Sequence, residues 1–296
     1  MRNGDLSVTE GGGVARKDAK EDSRTEGPGG TCRREFKIQA FTLQYQRPSH
    51  FVISQCLESQ LYIAWVVFWA IFHLIITILQ PFDVLQDSLP SPRWLAFLTN
   101  WGYLLLVTSS FLDCGLVLFA HLRQSDLLID KSEMTWYLKL GWVLYNVSTV
   151  LSVTITLLFY TLLTPGTSPN SILKHAINSV YALSNFFICA KPFRILHAFH
   201  SMIFSFIYLI FSVIYQEITD DVIYEILDWT SLPTAPLLGI GTVIIVIPLV
   251  HVILFLLYRV RLLISKKANC NKVTIQTERG KESVQNEVRH AETTHM

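Results

Sequence analysis

The sequence predicts an all-α, polytopic membrane protein, a bundle of about six transmembrane helices. Three observations predict it. The 296-residue chain is 51% hydrophobic and only 16% charged, against about 25% charged residues in a soluble domain. Of its 24 Lys and Arg and 23 Asp and Glu residues, only eighteen lie between Leu61 and Tyr258, although that stretch is two-thirds of the chain. Finally, the apolar residues gather into runs of the length that crosses a bilayer core, about 20 residues for roughly 30 Å.

Six such runs are present. They are Leu61 to Leu79, Trp94 to Phe119, Trp136 to Leu163, Leu173 to Cys189, Ile195 to Tyr215 and Pro236 to Tyr258. The fourth is the shortest and most polar. In a bilayer every backbone N–H must bond within its own segment, so helices are expected. No alternation of a β-barrel kind appears.

Lys and Arg residues near the span ends set the expected orientation. Lys37 and Arg47 precede the first span, Arg123 and Lys131 lie in the second loop, and Lys191 and Arg194 lie in the fourth. Arg259, Arg261, Lys266 and Lys267 follow the sixth span. These segments alternate, as six spans require, and are expected to be cytoplasmic, with both termini. The fifth loop has no Lys or Arg between Gln216 and Ala235 and carries Glu217, Asp220, Asp221, Glu225 and Asp228. The expected host is the plasma membrane or the endoplasmic reticulum.

The flanks divide the chain. Residues 1–58 are expected to form a cytoplasmic, largely disordered segment, residues 59–262 the transmembrane domain, and residues 263–296 a disordered cytoplasmic tail. From Met1 to about Glu35 the chain is rich in Gly and charge, too poor in apolar residues to offset its conformational entropy. It lacks the apolar core of a signal peptide.

The five cysteines, Cys32, Cys56, Cys114, Cys189 and Cys270, form no Cys-x-x-Cys pair. No metal-ligand spacing, phosphate loop, hydrolase elbow or nucleic-acid signature is present. Neither metal nor cofactor is expected, and the expected partner is membrane lipid rather than nucleic acid.

Polar groups at membrane depth default to functional hypotheses. Thr99 and Asn100 open the second span, and His175 opens the fourth. In the expected topology both helices start on the extracytoplasmic side. The acidic fifth loop, with Tyr224 and Asp228, lies on that side too. His175, Asn178, Ala182 and Asn185 follow spacings of three and four, so they share a helix face that turns inward. The Ser and Thr residues of the third span, Ser148 to Thr156, read as packing contacts. Asp113 lies too far along its helix to join the outer layer and is expected either to pair with a cation at the cytoplasmic end or to snorkel there. His197 and His200 are expected to snorkel at the inner interface.

Four segments carry a resemblance: Cys32-Arg33-Arg34-Glu35-Phe36, Phe97-Leu98-Thr99-Asn100-Trp101-Gly102, His175-Ala176-Ile177-Asn178-Ser179 and Ile223-Tyr224-Glu225-Ile226-Leu227-Asp228-Trp229. Together they resemble the rolling stone family over about residues 32 to 262. That resemblance implies a multi-pass protein associated with myoblast fusion, and hence a non-enzymatic role in cell–cell fusion or adhesion.

A more distant similarity points elsewhere. The androgen-induced and androgen-dependent membrane hydrolases have six spans and cleave fatty acid esters of hydroxy fatty acids with a Thr and a His. Their Thr falls on Thr99 and their His on His175. Tyr224 and Asp228 fall on a third motif, in which Glu225 replaces a Pro. The resemblance implies a lipid carboxylic-ester hydrolase with Thr99 as nucleophile and His175 as base, and a fatty-acyl ester as substrate. Asn100 and Asn178 are supporting candidates by proximity. A channel or transporter is a third possibility, weakened because no row of charges runs the length of a pore.

Overall fold

A computed structural model describes residues 38–79, 92–162 and 173–265. The chain divides into two compact units, Met1–Thr42 and Leu43–Met296. In the first, the described residues form a 3-10 turn, Ile38–Phe41. The second contains the helix bundle. Residues 1–37 and 266–296 lie outside the described residues, and Cys32 and Cys270 with them, whereas Leu263, Ile264 and Ser265, expected in the disordered tail, are helical.

The described residues form six helices and no strand. They are α1 (Ser59–Leu79), α2 (Leu98–Leu122), α3 (Trp136–Leu162), α4 (Asn178–Ile188), α5 (Ala198–Thr219) and α6 (Thr234–Ser265). Five segments are long and apolar enough to cross a membrane: α1, α2, α3, α5 with its leading 3-10 turn, and α6. The outer helices turn Leu, Ile and Phe outward, as Phe68, Ile75, Ile207, Ile244 and Leu256 illustrate. Such surfaces suit lipid rather than water. The central helices α2 and α3 bury about half of their length inside the bundle.

The fourth expected span departs from this pattern. A five-residue π turn, Leu173–Ile177, leads into the eleven residues of α4, and at 1.5 Å per residue the two rise only about 24 Å. Its polar stripe faces inward, as expected: Asn178, Ala182 and Asn185 are all buried. After Ile188 the chain continues in extended form through Cys189, Lys191 and Phe193, none of which has exposed surface. Non-helical backbone in an apolar bundle needs protein partners for its carbonyls. Arg261 of α6 donates to the Phe186, Cys189 and Lys191 carbonyls, Trp142 donates to Pro192 O at 2.8 Å, and the His251 ring meets Arg194 O at 2.9 Å.

The helix ends also differ from the expected boundaries. α2 begins at Leu98 because Pro92–Ala96 forms a separate 3-10 turn. α5 continues past Tyr215 to Thr219 and stops at Asp220, which takes a left-handed conformation with φ 54°. α6 runs seven residues beyond Tyr258, to Ser265.

One end of the bundle is knitted together around a buried ion pair. Lys191 Nζ meets Asp113 Oδ1 of α2, with the Tyr145 ring 5.0 Å away. Asp113 thus pairs with a cation at the end away from Thr99 rather than snorkelling. His197 does not snorkel. It is fully buried, its ring hydrogen-bonds Asn146 at 3.2 Å, and it packs edge-on against Trp142. A specific amide partner on α3 draws the ring inward, a pairing that a linear reading of α5 does not contain.

Candidate active site

At the opposite end, a cavity of about 110 Å³ lies among α2, α3, α5, α6 and the loop before α6. The longest wall is α3, with Leu151, Ile155, Leu158 and Leu162. Opposite it stand Leu238, Val243 and Ile247 of α6, while Ile226 and Leu227 close the top from the loop. The polar atoms come from Thr99, Thr154, Ser205, Tyr208, Tyr224 and Thr242. Among the described residues neither charged nor metal-binding side chains line it, and its walls are largely apolar.

Thr99 is held at the mouth by the way α2 starts. The cap position, Phe97, is extended and offers no side-chain cap. The free amides of a helix's first turn need partners from elsewhere. Leu98 N donates instead to the Tyr224 hydroxyl at 3.0 Å. Around it, Asn100 Nδ2 donates to Trp94 O and Trp101 Nε1 to Leu95 O at 2.6 Å, locking the 3-10 turn to the helix. The Tyr224 hydroxyl also lies within hydrogen-bonding reach of the Thr99 and Tyr208 side chains, and Tyr208 donates to Ala96 O at 2.7 Å. Burial pushes the Tyr224 phenol up from its ordinary value, while hydrogen bonds, that with Thr99 foremost, pull it partly back. Tyr224 therefore keeps its proton at physiological pH and remains a donor.

His175 stands one layer behind the wall. Its ring stacks on Phe159, a wall residue, with centroids 3.5 Å apart and planes 7° from parallel. It sits inside the π turn Leu173–Ile177, and Thr156 of α3 donates to its carbonyl while sharing a 2.5 Å contact with Ser179. A second π turn, Thr242–Val246, supplies Thr242 and Val243 to the facing wall. Such turns concentrate at functional sites.

The six expected site residues therefore separate. Thr99 and Tyr224 are brought together at the cavity, and His175 packs behind Phe159. Asn100, Asn178 and Asp228 do not line it. Asn100 ties down the turn before α2. Asp228 accepts from Gln216 Nε2 at 2.7 Å and from the Thr230 amide and hydroxyl at 3.0 and 2.8 Å. The Thr230 amide first, then the Gln216 amide, hold its carboxyl below the usual range. It shapes the loop that carries Tyr224.

Sequence reasoning missed Tyr208, Thr154, Ser205 and Phe159. The signal for Ser205 was present, since His197, Ser201 and Ser205 are spaced four apart on α5. Thr154 was one of several similar residues on α3, with nothing in the sequence to single it out.

Gly239 explains how α6 reaches this position. A Cβ there would come within 2.5 Å of Leu209 Cδ1 and near Leu227 and Trp229. Gly102 similarly lets α2 approach Ile155.

Comparison with known proteins agrees with this architecture. The family model described as "Protein rolling stone" matches residues 30–273, which include every helix of the bundle. The chain is also similar to Protein rolling stone of Drosophila melanogaster, 27% identical over 249 residues, covering 77% of this chain and 89% of that protein. No solved structure matches. With a family match over most of its length, the chain belongs to the rolling stone family.

Proposed function

We propose that the protein hydrolyses lipid esters from within the membrane, with Thr99 as nucleophile and His175 as base. The observation that carries this reading is the Thr99 hydroxyl in the wall of a largely apolar cavity, beside the Tyr224 hydroxyl, which keeps its proton. The distant likeness to the androgen-induced and androgen-dependent membrane hydrolases points to the same Thr and His.

The chemistry follows from those groups. A Thr hydroxyl is a weak nucleophile until a base takes its proton. His175 takes that proton as Thr99 Oγ bonds to the ester carbonyl carbon, then returns it to the departing alkoxide. Water then cleaves the acyl–threonine, releasing the fatty acid and restoring Thr99. Developing negative charge on the carbonyl oxygen needs a preorganised donor, and the Tyr224 hydroxyl takes that role. For His175 to serve, Phe159 swings aside or the substrate draws the π turn toward the cavity. Asn100 and Asp228 act on this chemistry only by holding the turn and the loop.

The distribution of Lys and Arg supports an orientation with the Lys191 end and both termini in the cytoplasm. The cavity then opens in the extracytoplasmic leaflet of the plasma membrane or the endoplasmic reticulum, and substrate enters sideways from lipid.

The test is hydrolysis of a long-chain fatty-acyl ester in mixed micelles by purified wild type, Thr99→Ala and His175→Ala. Activity lost in both variants, with thermal unfolding unchanged, supports the reading. Activity retained by either variant removes its residue from the mechanism. A folded wild type with no activity shifts the account to a non-enzymatic role in myoblast-type fusion or adhesion.

A further inference from the structure

Hydroxyls in membrane helices ordinarily bond a carbonyl one turn back, and several here do so. Thr77, Thr108, Thr161, Thr219 and Ser212 each donate to a carbonyl of their own helix at 2.7 or 2.8 Å. Four groups along the seam of α3 and α5 break this habit. Asn146 Oδ1, Thr154 Oγ1, Ser201 Oγ and Ser205 Oγ are buried and carry no hydrogen-bond partner among the described residues. Their residues are 0, 2, 0 and 7% exposed. Leaving one such group unsatisfied costs about 1–3 kcal/mol, so four on one seam require an explanation.

Their arrangement supplies one. α3 and α5 both run from the Lys191 end toward the Thr99 end and are pinned in register by the Asn146–His197 bond. Thr154 lies eight residues beyond Asn146, and Ser205 eight beyond His197, so each stands about 12 Å further along. That equal rise brings both to the floor of the cavity, which they line. Ser201 falls halfway, about 6 Å from either level. One water bonded to two oxygens spans about 5.6 Å, which matches a single turn.

We propose that a file of bound water runs along the α3–α5 seam, from Asn146 and His197 past Ser201 to Thr154 and Ser205 at the cavity floor. Each water would find the two to four polar partners that buried water requires. The file's use as the source of hydrolytic water rests on the hydrolase reading; its existence does not.

The test is hydroxyl-radical footprinting of detergent-purified protein by a brief synchrotron pulse in water enriched in oxygen-18. Val150 lies between Asn146 and Thr154 on the same face of α3 and has no exposed surface, so only internal water can label it. The expected result is oxygen-18 on Val150 in wild type, falling to background in Ser201→Val. Wild type that keeps its unfolding transition yet shows no label on Val150 overturns the proposal. Equal labelling in wild type and in folded Ser201→Val overturns the path through Ser201. Neither readout involves a substrate, so the file and the hydrolase can fail separately.

Discussion

Tyr224 and Leu98, 126 residues apart in the chain, are joined by a 3.0 Å hydrogen bond from the Leu98 amide to the Tyr224 hydroxyl. A loop side chain thereby completes the first turn of α2 and stands against Thr99. Tyr224→Phe removes the acceptor and leaves a part-buried amide unpaired. The expected cost is about 1–3 kcal/mol of stability, read as a lower thermal midpoint in detergent. Under the proposed mechanism ester hydrolysis should also fall, because the same hydroxyl would stabilise the developing oxyanion.

Asp113 and Lys191 form the other decisive pair. Lys191 has no exposed surface, so neither charge has water to fall back on. Asp113→Ala strands the ammonium and should destabilise the fold by roughly 3–5 kcal/mol. The double variant Asp113→Leu/Lys191→Met removes both charges and should recover most of that loss. Thermal unfolding of the two side by side distinguishes an ion pair that the fold requires from one whose removal as a unit it tolerates.

Two glycines in α6 make an internal control. A Cβ on Gly241 meets nothing within 4 Å, whereas one on Gly239 meets Leu209 Cδ1 at 2.5 Å. Alanine at Gly241 should stabilise the helix by up to about 1 kcal/mol. Alanine at Gly239 should forgo that gain, since Leu209 must move, and Leu209 lines the cavity. The expected signature is weaker binding of a long-chain fatty-acid probe to Gly239→Ala and unchanged binding to Gly241→Ala.

The Asp228 carboxyl sits below its ordinary value because the Thr230 amide, Gln216 and the Thr230 hydroxyl all donate to it. A group depressed in the folded state contributes stability above its unfolded pKa and loses it as pH falls through the folded one. Its contribution should therefore be constant from neutrality to about pH 5 and decline below about pH 4. Asp228→Asn should flatten that part of the pH profile of the thermal midpoint.

Much of the fold was legible in composition and in the length of apolar runs, because a bilayer leaves few ways to satisfy a backbone. The inward face of α4 was legible for the same reason, from the spacing of Asn178, Ala182 and Asn185. Asp113 stood out as a charge that must pair or snorkel, and the structure pairs it with Lys191. The brevity of α4 was legible in its short, polar run, but the extended segment after Ile188 was not, because it relies on Arg261, Trp142 and His251, which come from other helices. Nor was the inward turn of His197, which depends on Asn146. At the candidate site the motifs located Thr99 and Tyr224 correctly as neighbours in depth. They did not separate those two from Asn100 and Asp228, whose hydrogen bonds hold the turn before α2 and tie the fifth loop to itself and to Gln216 of α5. Residue type and spacing are the same for a cavity-lining side chain and for a turn-forming one; only the folded structure tells them apart.

The most direct measurement of the central claim is intact-mass analysis after treatment with a fluorophosphonate, on detergent-purified wild type, Thr99→Ala, Thr99→Ser and His175→Ala. The account predicts one adduct on wild type and on Thr99→Ser, located at position 99 by peptide mapping, and none on Thr99→Ala or His175→Ala. A wild type that unfolds cooperatively yet takes no adduct, or an adduct that survives Thr99→Ala, contradicts it.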